Sequence, residues 1–379
     1  MGGGVTRTDS MIVVSVNRER GTASMISLPR DLYVYMPNWT MHKINLAVPI
    51  GGVGMLKEAI LYNFGVPIHY YARIDFGGFR DIVDALGGIE IAVSCELEDW
   101  RLKKPGLDIF EEDNYERFTL PRGIHTLDGH TALWYARSRK TTNDFDRGRR
   151  QQQILRAILD QGVNADLIRN IPDLYSTYQD VVETDMDIGR ILQFASVANQ
   201  IQENGIQSIY LAGSNVESMY VDTPDGRVSV QVPQEEPMRE SWERLYQPPA
   251  LNRATRAPLT VEIINASGDD ELAELAASNL AWQGFVPTIS DETVRRPVKL
   301  TELTFNAPNL RGSYDWLITW IFDLKRPGDR GNGAYKGDGQ YGIDLNPESD
   351  SDYNYTLLLG KDYDPCRPEL FAPRPYLDK

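Results

Sequence analysis

Residues 137–150 read RSRKTTNDFDRGRR, six basic side chains against two acidic ones, inside a chain of 379 residues whose formal charge is −15. A charge run of this kind is ordinarily a solvated face. Its periodicity argues for something more specific. Counting back in helical steps from Ile158 and Ile154 leads through Gln151, Arg150 and Arg147, so the stripe that faces the core ends in guanidinium groups. A half-buried guanidinium is unfavourable unless it meets an anion, and Asp144, a good N-cap, marks this end as the positive pole of the helix. Arg137 and Arg139 alternate in the segment just before it and point one way if that segment is extended. Four or five converging arginines suit a diphosphate better than a carboxylate, because a diphosphate offers many oxygens for bidentate contacts.

The rest of the composition narrows the field. An acidic chain lacks the broad excess of Lys and Arg that a nucleic-acid backbone demands, so any anion site is local and nucleic acid is not the expected partner. Its two cysteines, Cys95 and Cys366, are far apart and expected in different domains, and they read as unpaired, inert thiols. His42, His69, His125 and His130 have no metal-ligand spacing, and His130 reads as a structural helix residue. No run of 18 apolar residues is apparent, and the opening MGGGVTRTDS lacks the apolar centre of a signal peptide. That Gly-rich opening reads as the end of a loop that starts before Met1.

Element order points to an α/β (α+β) fold, a central mixed β-sheet flanked by helices. Residues 10–17 and 22–28 are β-branched apolar runs joined by a charged turn, a hairpin signature. Helical spacing follows over 55–63 and 79–86, with strands over 70–76 and 89–93. The glycines of Gly51-Gly52-Val53-Gly54 read as a loop before the first helix. A long helical stretch runs through 127–135, 147–161, 172–182 and 188–202, closed by a strand over 208–212. The first domain is set at 1–250, with a linker at 251–257. A small α+β unit resembling a split βαβ module occupies 258–365, with strands over 259–265, 286–290, 301–306 and 353–360 and helices over 270–283 and 314–324. Residues 327–352, rich in Gly, Asp and Asn, read as a mobile insertion, and 366–379 as a tail.

A second cluster flanks the hairpin. Arg7 and Asp9 precede its first strand and Pro29-Arg30-Asp31 follows its second, so both lie at the open end. A carboxylate beside bound phosphates commonly holds Mg²⁺. On spacing alone, loop capping or a salt bridge to Arg7 or Arg30 is the favoured reading of Asp9 and Asp31.

Taken in order, Asp9-Ser10, Leu28-Pro29-Arg30-Asp31, Lys43-Ile44-Asn45, Asp75-Phe76 with Val83-Asp84-Ala85-Leu86-Gly87-Gly88, Leu127-Asp128-Gly129, Tyr135-Ala136-Arg137-Ser138-Arg139 and Asp144-Phe145 through Arg147, Arg150 and Gln151 resemble the LytR-CpsA-Psr family. The likeness is close over residues 5–165 and looser to 245, and residues 258–364 look like the LytR C-terminal domain. The resemblance implies an enzyme on the extracytoplasmic face of a bacterial membrane that transfers a glycopolymer, such as a teichoic acid or capsule polysaccharide, from a polyprenyl-pyrophosphate carrier to peptidoglycan. By the same resemblance Arg30, Arg137, Arg139 and Arg147 bind the pyrophosphate, with Arg7, Arg150 and Gln151 beside them. Asp9 is then a ligand for Mg²⁺ or Mn²⁺, and Asp9, Arg30, Arg137 and Arg139 form the catalytic set. An apolar tunnel holds the lipid. The family also carries a membrane anchor and a Gly-x-Asp about a dozen residues before the position of Asp9, both upstream of Met1. A pyrophosphate hydrolase and a non-catalytic lipid-pyrophosphate or wall-polymer binding module are the alternative readings.

Overall fold

The computed structural model describes residues 8, 10–139, 144–164, 175–177, 181–211, 213–223, 226–249, 257–292, 294, 296–306, 314–324, 343–345 and 351–367. Strand β1 (Met11–Asn17) turns at Gly21, whose φ of 58° suits glycine, into β2 (Thr22–Leu28). These two pair antiparallel, and β11 (Ile206–Tyr210) adds parallel to the other side of β2. The result is the expected mixed sheet, with β2 enclosed on both faces. Ile26 and Leu28 face a core shared with Ile44, Ile60, Ile209 and Trp242. Ser24 and Ser27 are small polar residues on this central strand, and hydrogen bonding, not apolar packing, ties them to their neighbours.

Strands β3 (Tyr33–Tyr35) and β4 (Met41–Lys43) pair with each other and lead into helix α1 (Ala47–Phe64). Gly51 and Gly52 leave helical angles and break α1 near its start, so the expected loop is a kink inside a longer helix. By length and a mean hydropathy of 1.4, Ile44–Phe64 is apolar enough to cross a membrane, which corrects the expectation that no such stretch exists. It buries Ile44, Ala47, Ala59 and Ile60. Short strand β5 (Ala72–Ile74) precedes helix α2 (Phe76–Ala85), capped by the Asp75 carboxylate.

A second layer forms from β6 (Ile89–Val93), β7 (Leu97–Leu102), β8 (Tyr115–Leu120), β9 (Gly123–Leu127) and helix α3 (Gly129–Arg137), with β6 paired to β9 and β7 to β8. Helix α4 (Asp144–Asn164) lies between this layer and the mixed sheet, with Ile154 and Ala157 in the second layer's core. Of the helix expected over 172–182, residues 175–177 are described and helical, and the rest of 172–180 lies outside the described residues. Val182–Thr184 is instead strand β10, paired with β5. The helical stretch over 188–202 is two helices, α5 (Ile188–Ala195) and α6 (Ala198–Asn204). Beyond them the Pro-, Glu- and Gln-rich region forms a hairpin of β12 (Val216–Thr223) and β13 (Gly226–Pro233) and helix α7 (Glu235–Arg244).

The C-terminal region builds a five-stranded sheet in the order β15 (Val286–Ile289), β14 (Thr260–Asn265), β18 (Tyr355–Leu359), β16 (Glu302–Phe305), β17 (Ile343–Leu345). Helices α8 (Asp270–Trp282) and α9 (Asp315–Phe322) pack on it around Phe285, Phe305, Ile318 and Tyr355. Both β-α-β halves are present, but β14–β15 and β16–β17 are hydrogen-bonded neighbours, so neither half is split and β18 sits between them. The stretch 327–352 contains β17, and its remaining residues other than 351–352 lie outside those described. The two cysteines are not free: Cys95 and Cys366 form a disulfide with Cα atoms 4.8 Å apart across 271 positions of sequence. Sequence spacing carries no signal for such a pairing. Arg122 and Asp269 make a salt bridge at 2.8 Å alongside it, and Arg367 bonds the Trp320 and Ile321 carbonyls, so the expected tail begins inside the packed structure.

Helices α2 and α3 meet where Gly129 N–H donates to the Asp84 carboxylate at 2.7 Å, and a Cβ on Gly129 would lie 2.7 Å from Arg80 Cα. Gly129→Ala is therefore expected to lower the stability of the first domain by on the order of 1–3 kcal/mol. Urea unfolding followed by circular dichroism measures this, and an unchanged midpoint would contradict the close approach.

Candidate functional site

Helix α4 is tied to the mixed sheet at its N-terminal half. Ser27 Oγ donates to the Gly148 carbonyl at 3.4 Å, and Gln152 Nε2 donates to Ser27 Oγ at 2.8 Å and to the Ile209 carbonyl at 3.1 Å. Gly148 is close to Ser27, since a Cβ there would lie 3.3 Å from Ser27 Cβ. The end of α3 is drawn onto the same turns. Arg150 donates to the carbonyls of Tyr135 and Ser138, the latter at 2.6 Å, and Gln151 Nε2 donates to the Ala136 carbonyl at 3.2 Å. Asp99 on β7 fixes the turn that follows, accepting from Ser138 Oγ at 2.7 Å and from the Arg139 N–H at 2.9 Å.

These contacts bring three arginine-bearing segments to one end of α4. Arg147 adjoins Gly148, Arg137 and Arg139 flank Ser138, and Arg30 follows Ser27 by three residues, a backbone span of at most about 10 Å. Arg137 and Arg139 are exposed, Arg30 is half-buried and Arg147 is buried at 6% exposure. The Arg137 guanidinium sits 4.2 Å from the centre of the Phe76 ring, which places a cation on a half-open aromatic face at the start of α2. Helical N–H groups at the start of α4 add positive potential to the same end.

Arg150 is placed differently from its expected role. At 2% exposure it is enclosed, with Nε 3.0 Å from the Asp146 carboxylate and its two NH groups on backbone carbonyls. It is a structural tie between α3 and α4 and not a group presented to a ligand. Gln151 likewise directs its amide to the Ala136 carbonyl. Asp31 is engaged by Lys43 at 2.8 Å and by Arg30 at 3.4 Å, the salt-bridge arrangement that spacing left open. His130 bonds the Leu102 carbonyl at 2.8 Å, in keeping with a structural role. Arg7 and Asp9 lie outside the described residues, as do the side chains of Asp144 and Phe145.

Burial alone would raise the Asp146 carboxyl, but Arg149 and Arg150 beside it hold it below the usual carboxylate range. Burial alone would lower the Arg149 guanidinium, but Asp146, with Tyr135 and Tyr210, raises it above its ordinary value. The ion pairs under the site therefore stay charged across neutral pH. Two determinants were not visible in the sequence: Asp99, 40 positions from Arg139, and Ser27, whose small side chain admits the α4 backbone. Neither lies in a basic or periodic motif.

Backbone bonds from Thr8 to the Asn45 carbonyl at 3.4 Å and from Asn45 to the Arg30 carbonyl at 3.3 Å carry the N-terminal flank to the arginine end of the sheet. Asn45 is 3% exposed and its Oδ1 has no hydrogen-bond partner. A buried hard oxygen next to the segment that contains Asp9 suits a divalent cation that takes oxygen ligands. Among the described residues no group of three or more His, Cys, Asp and Glu side chains that could hold a metal ion occurs.

TagT of Bacillus subtilis strain 168, a polyisoprenyl-teichoic acid–peptidoglycan teichoic acid transferase, is 34% identical over 178 residues, covering 47% of this chain and 51% of TagT. TagV of the same strain, of the same transferase type, is 31% identical over 215 residues, 55% of this chain and 53% of TagV. This chain thus spans about half the length of these curated relatives. The crystal structure of B. subtilis TagV superposes with a TM-score of 0.53 at 27% identity, covering 63% of this chain and 88% of that one. The LytR_cpsA_psr family model matches residues 1–246, and the chain belongs to that family.

Proposed function

We propose that this protein is a phosphotransferase that moves a glycopolymer from a polyprenyl-pyrophosphate carrier onto peptidoglycan, the reaction type that the names of the Bacillus transferases state for teichoic acid. The observation that carries the reading is the gathering of Arg30, Arg137, Arg139 and Arg147 from three segments at the N-terminal end of α4. Phe76, beneath Arg137, and Ile74 of the preceding strand β5 are exposed apolar side chains that suit a lipid tail. In the proposed reaction an acceptor sugar hydroxyl attacks the phosphorus nearest the glycan. The new phosphodiester bond forms, the bridging P–O bond breaks, and lipid monophosphate leaves with the released proton. The arginines hold the two phosphates in line and neutralise charge as it shifts to the departing phosphate.

Bound Mg²⁺ or Mn²⁺ would supply further charge neutralisation and polarise the phosphoryl group. We assign Asp9 to it, with Asn45 Oδ1 as the nearest buried oxygen on the adjoining segment. The Cys95–Cys366 disulfide supports an oxidising, extracytoplasmic setting at the membrane surface.

Arg139→Ala is expected to abolish transfer with an unchanged melting temperature, since an exposed ligand side chain leaves no cavity. Arg150→Ala, in contrast, strips a buried carboxylate of its partner and is expected to destabilise the fold by about 3–5 kcal/mol. An assay with a lipid-linked donor and a muropeptide acceptor, run beside thermal unfolding, separates the two, and release of free glycan phosphate without acceptor product would make the protein a hydrolase. Turnover is also expected to vanish in EDTA and return with added Mg²⁺ or Mn²⁺; EDTA-insensitive turnover would remove Asp9 from the role of metal ligand.

A further inference from the structure

Between the C-terminal half of α4 and the facing surface of α8 lies a cleft of about 770 Å³, bounded also by α6, β11 and β15. It is separate from the arginine site. From Gly148 to Gln161 the helix rises roughly 20 Å at 1.5 Å per residue. The size is that of a ligand site and not of a packing defect. On α4 the stripe that lines it, from Gln153 through Asp160 to Asn164, is polar where a directly packed helix would be apolar. Opposite, Ala277, Ser278 and Ala281 are small and leave the space between the two helices unfilled. The Cys95–Cys366 disulfide and the Arg122–Asp269 ion pair tie together the parts of the chain on either side, so the opening exists before any ligand arrives.

We infer that this cleft binds a neutral saccharide chain. Its walls carry seven side-chain amides, including Gln161, Asn164, Gln202 and Gln283, and an amide donates and accepts in one plane as vicinal sugar hydroxyls do. Trp282, Trp320 and Tyr210 supply aromatic faces, and Arg156 stacks 3.8 Å from the centre of the Trp282 ring and holds it in place. Three carboxylates, Glu90, Asp160 and Glu274, against the guanidiniums of Arg156 and Arg244 leave the cleft nearly neutral and slightly acidic. A polyphosphate would meet net repulsion there, and an apolar ligand would leave unmet the hydrogen-bonding capacity that amides such as Gln161 and Asn164 retain beyond the bonds they make within the protein. The exposed side of β11, the outer strand of its three-stranded sheet among the described residues, offers a peptide little, because Arg156 already donates to the Ile206 carbonyl and to Ser208 Oγ.

The site does not depend on the transfer reading. Two sugar chains meet in that reaction, the wall glycan and the carried polymer, and both present this chemistry. Isothermal titration of the intact protein with chitohexaose and with maltohexaose tests the site. Preferred binding of chitohexaose assigns the cleft to N-acetylated wall glycan, and preferred binding of maltohexaose assigns it to a hydroxyl-rich carried polymer. The double variant Asn164→Ala with Gln202→Ala, which removes two amides 3.3 Å apart, is expected to bind about tenfold more weakly. Ala281→Trp, on the exposed cleft face of α8, is expected to abolish binding by filling the space. Arg139→Ala should bind both sugars as the unaltered protein does, so loss of transfer and loss of saccharide binding are read apart. Failure of both sugars to bind, binding indifferent to both sets of cleft substitutions, or capture of polyphosphate or an unstructured peptide in preference to sugar would overturn the inference.

Discussion

The enclosed guanidinium of Arg150 holds the rest of the site in place. Its bonds to Asp146 and to the carbonyls of Tyr135 and Ser138 clamp the end of one helix against the start of the next. A buried charge left without its partner is strongly destabilising, so this geometry tolerates little slack. With α3 clamped to α4, and α4 seated on β2 through Ser27 and Gly148, the neighbouring arginines have nowhere to go but one end of one helix. An inner set of buried, neutralised arginines thus supports the exposed Arg137 and Arg139.

That division also explains what the sequence could and could not convey. Strand β2 and its hairpin turn were legible to the residue, because alternation and a charged turn are local signals. The placement of Arg147 and Arg150 on the buried face of α4 was legible from the helical stripe. Their ranking was not: a stripe position does not distinguish Arg147, beside the ligand end, from Arg150, which turns inward to backbone carbonyls. Asp99, the pairing of Cys95 with Cys366, and the return of Ile343–Leu345 to the C-terminal sheet all depend on chain segments far apart in sequence, and no periodicity reports them. The Gly-rich start of α1 misled in the other direction, since a helix can run through a two-residue kink when its remaining faces pack.

The second unit does more than follow the first. Its α8 faces α4, its Asp269 meets Arg122, and its last cysteine closes a disulfide with the loop after β6. The same helix α4 therefore presents arginines at one end and an amide-lined cleft toward the other. A rigid rod shared by the two regions gives them a fixed separation without any moving part.

The central claim is that one diphosphate sits among guanidiniums from three segments. A crystal structure of the protein with geranyl pyrophosphate tests it most directly. The account predicts phosphate oxygens at about 3 Å from the guanidinium nitrogens of Arg30, Arg147 and at least one of Arg137 and Arg139, with the isoprenoid running toward Phe76. Density for the diphosphate anywhere else, or with Arg30 turned away from the α4 arginines, would contradict it.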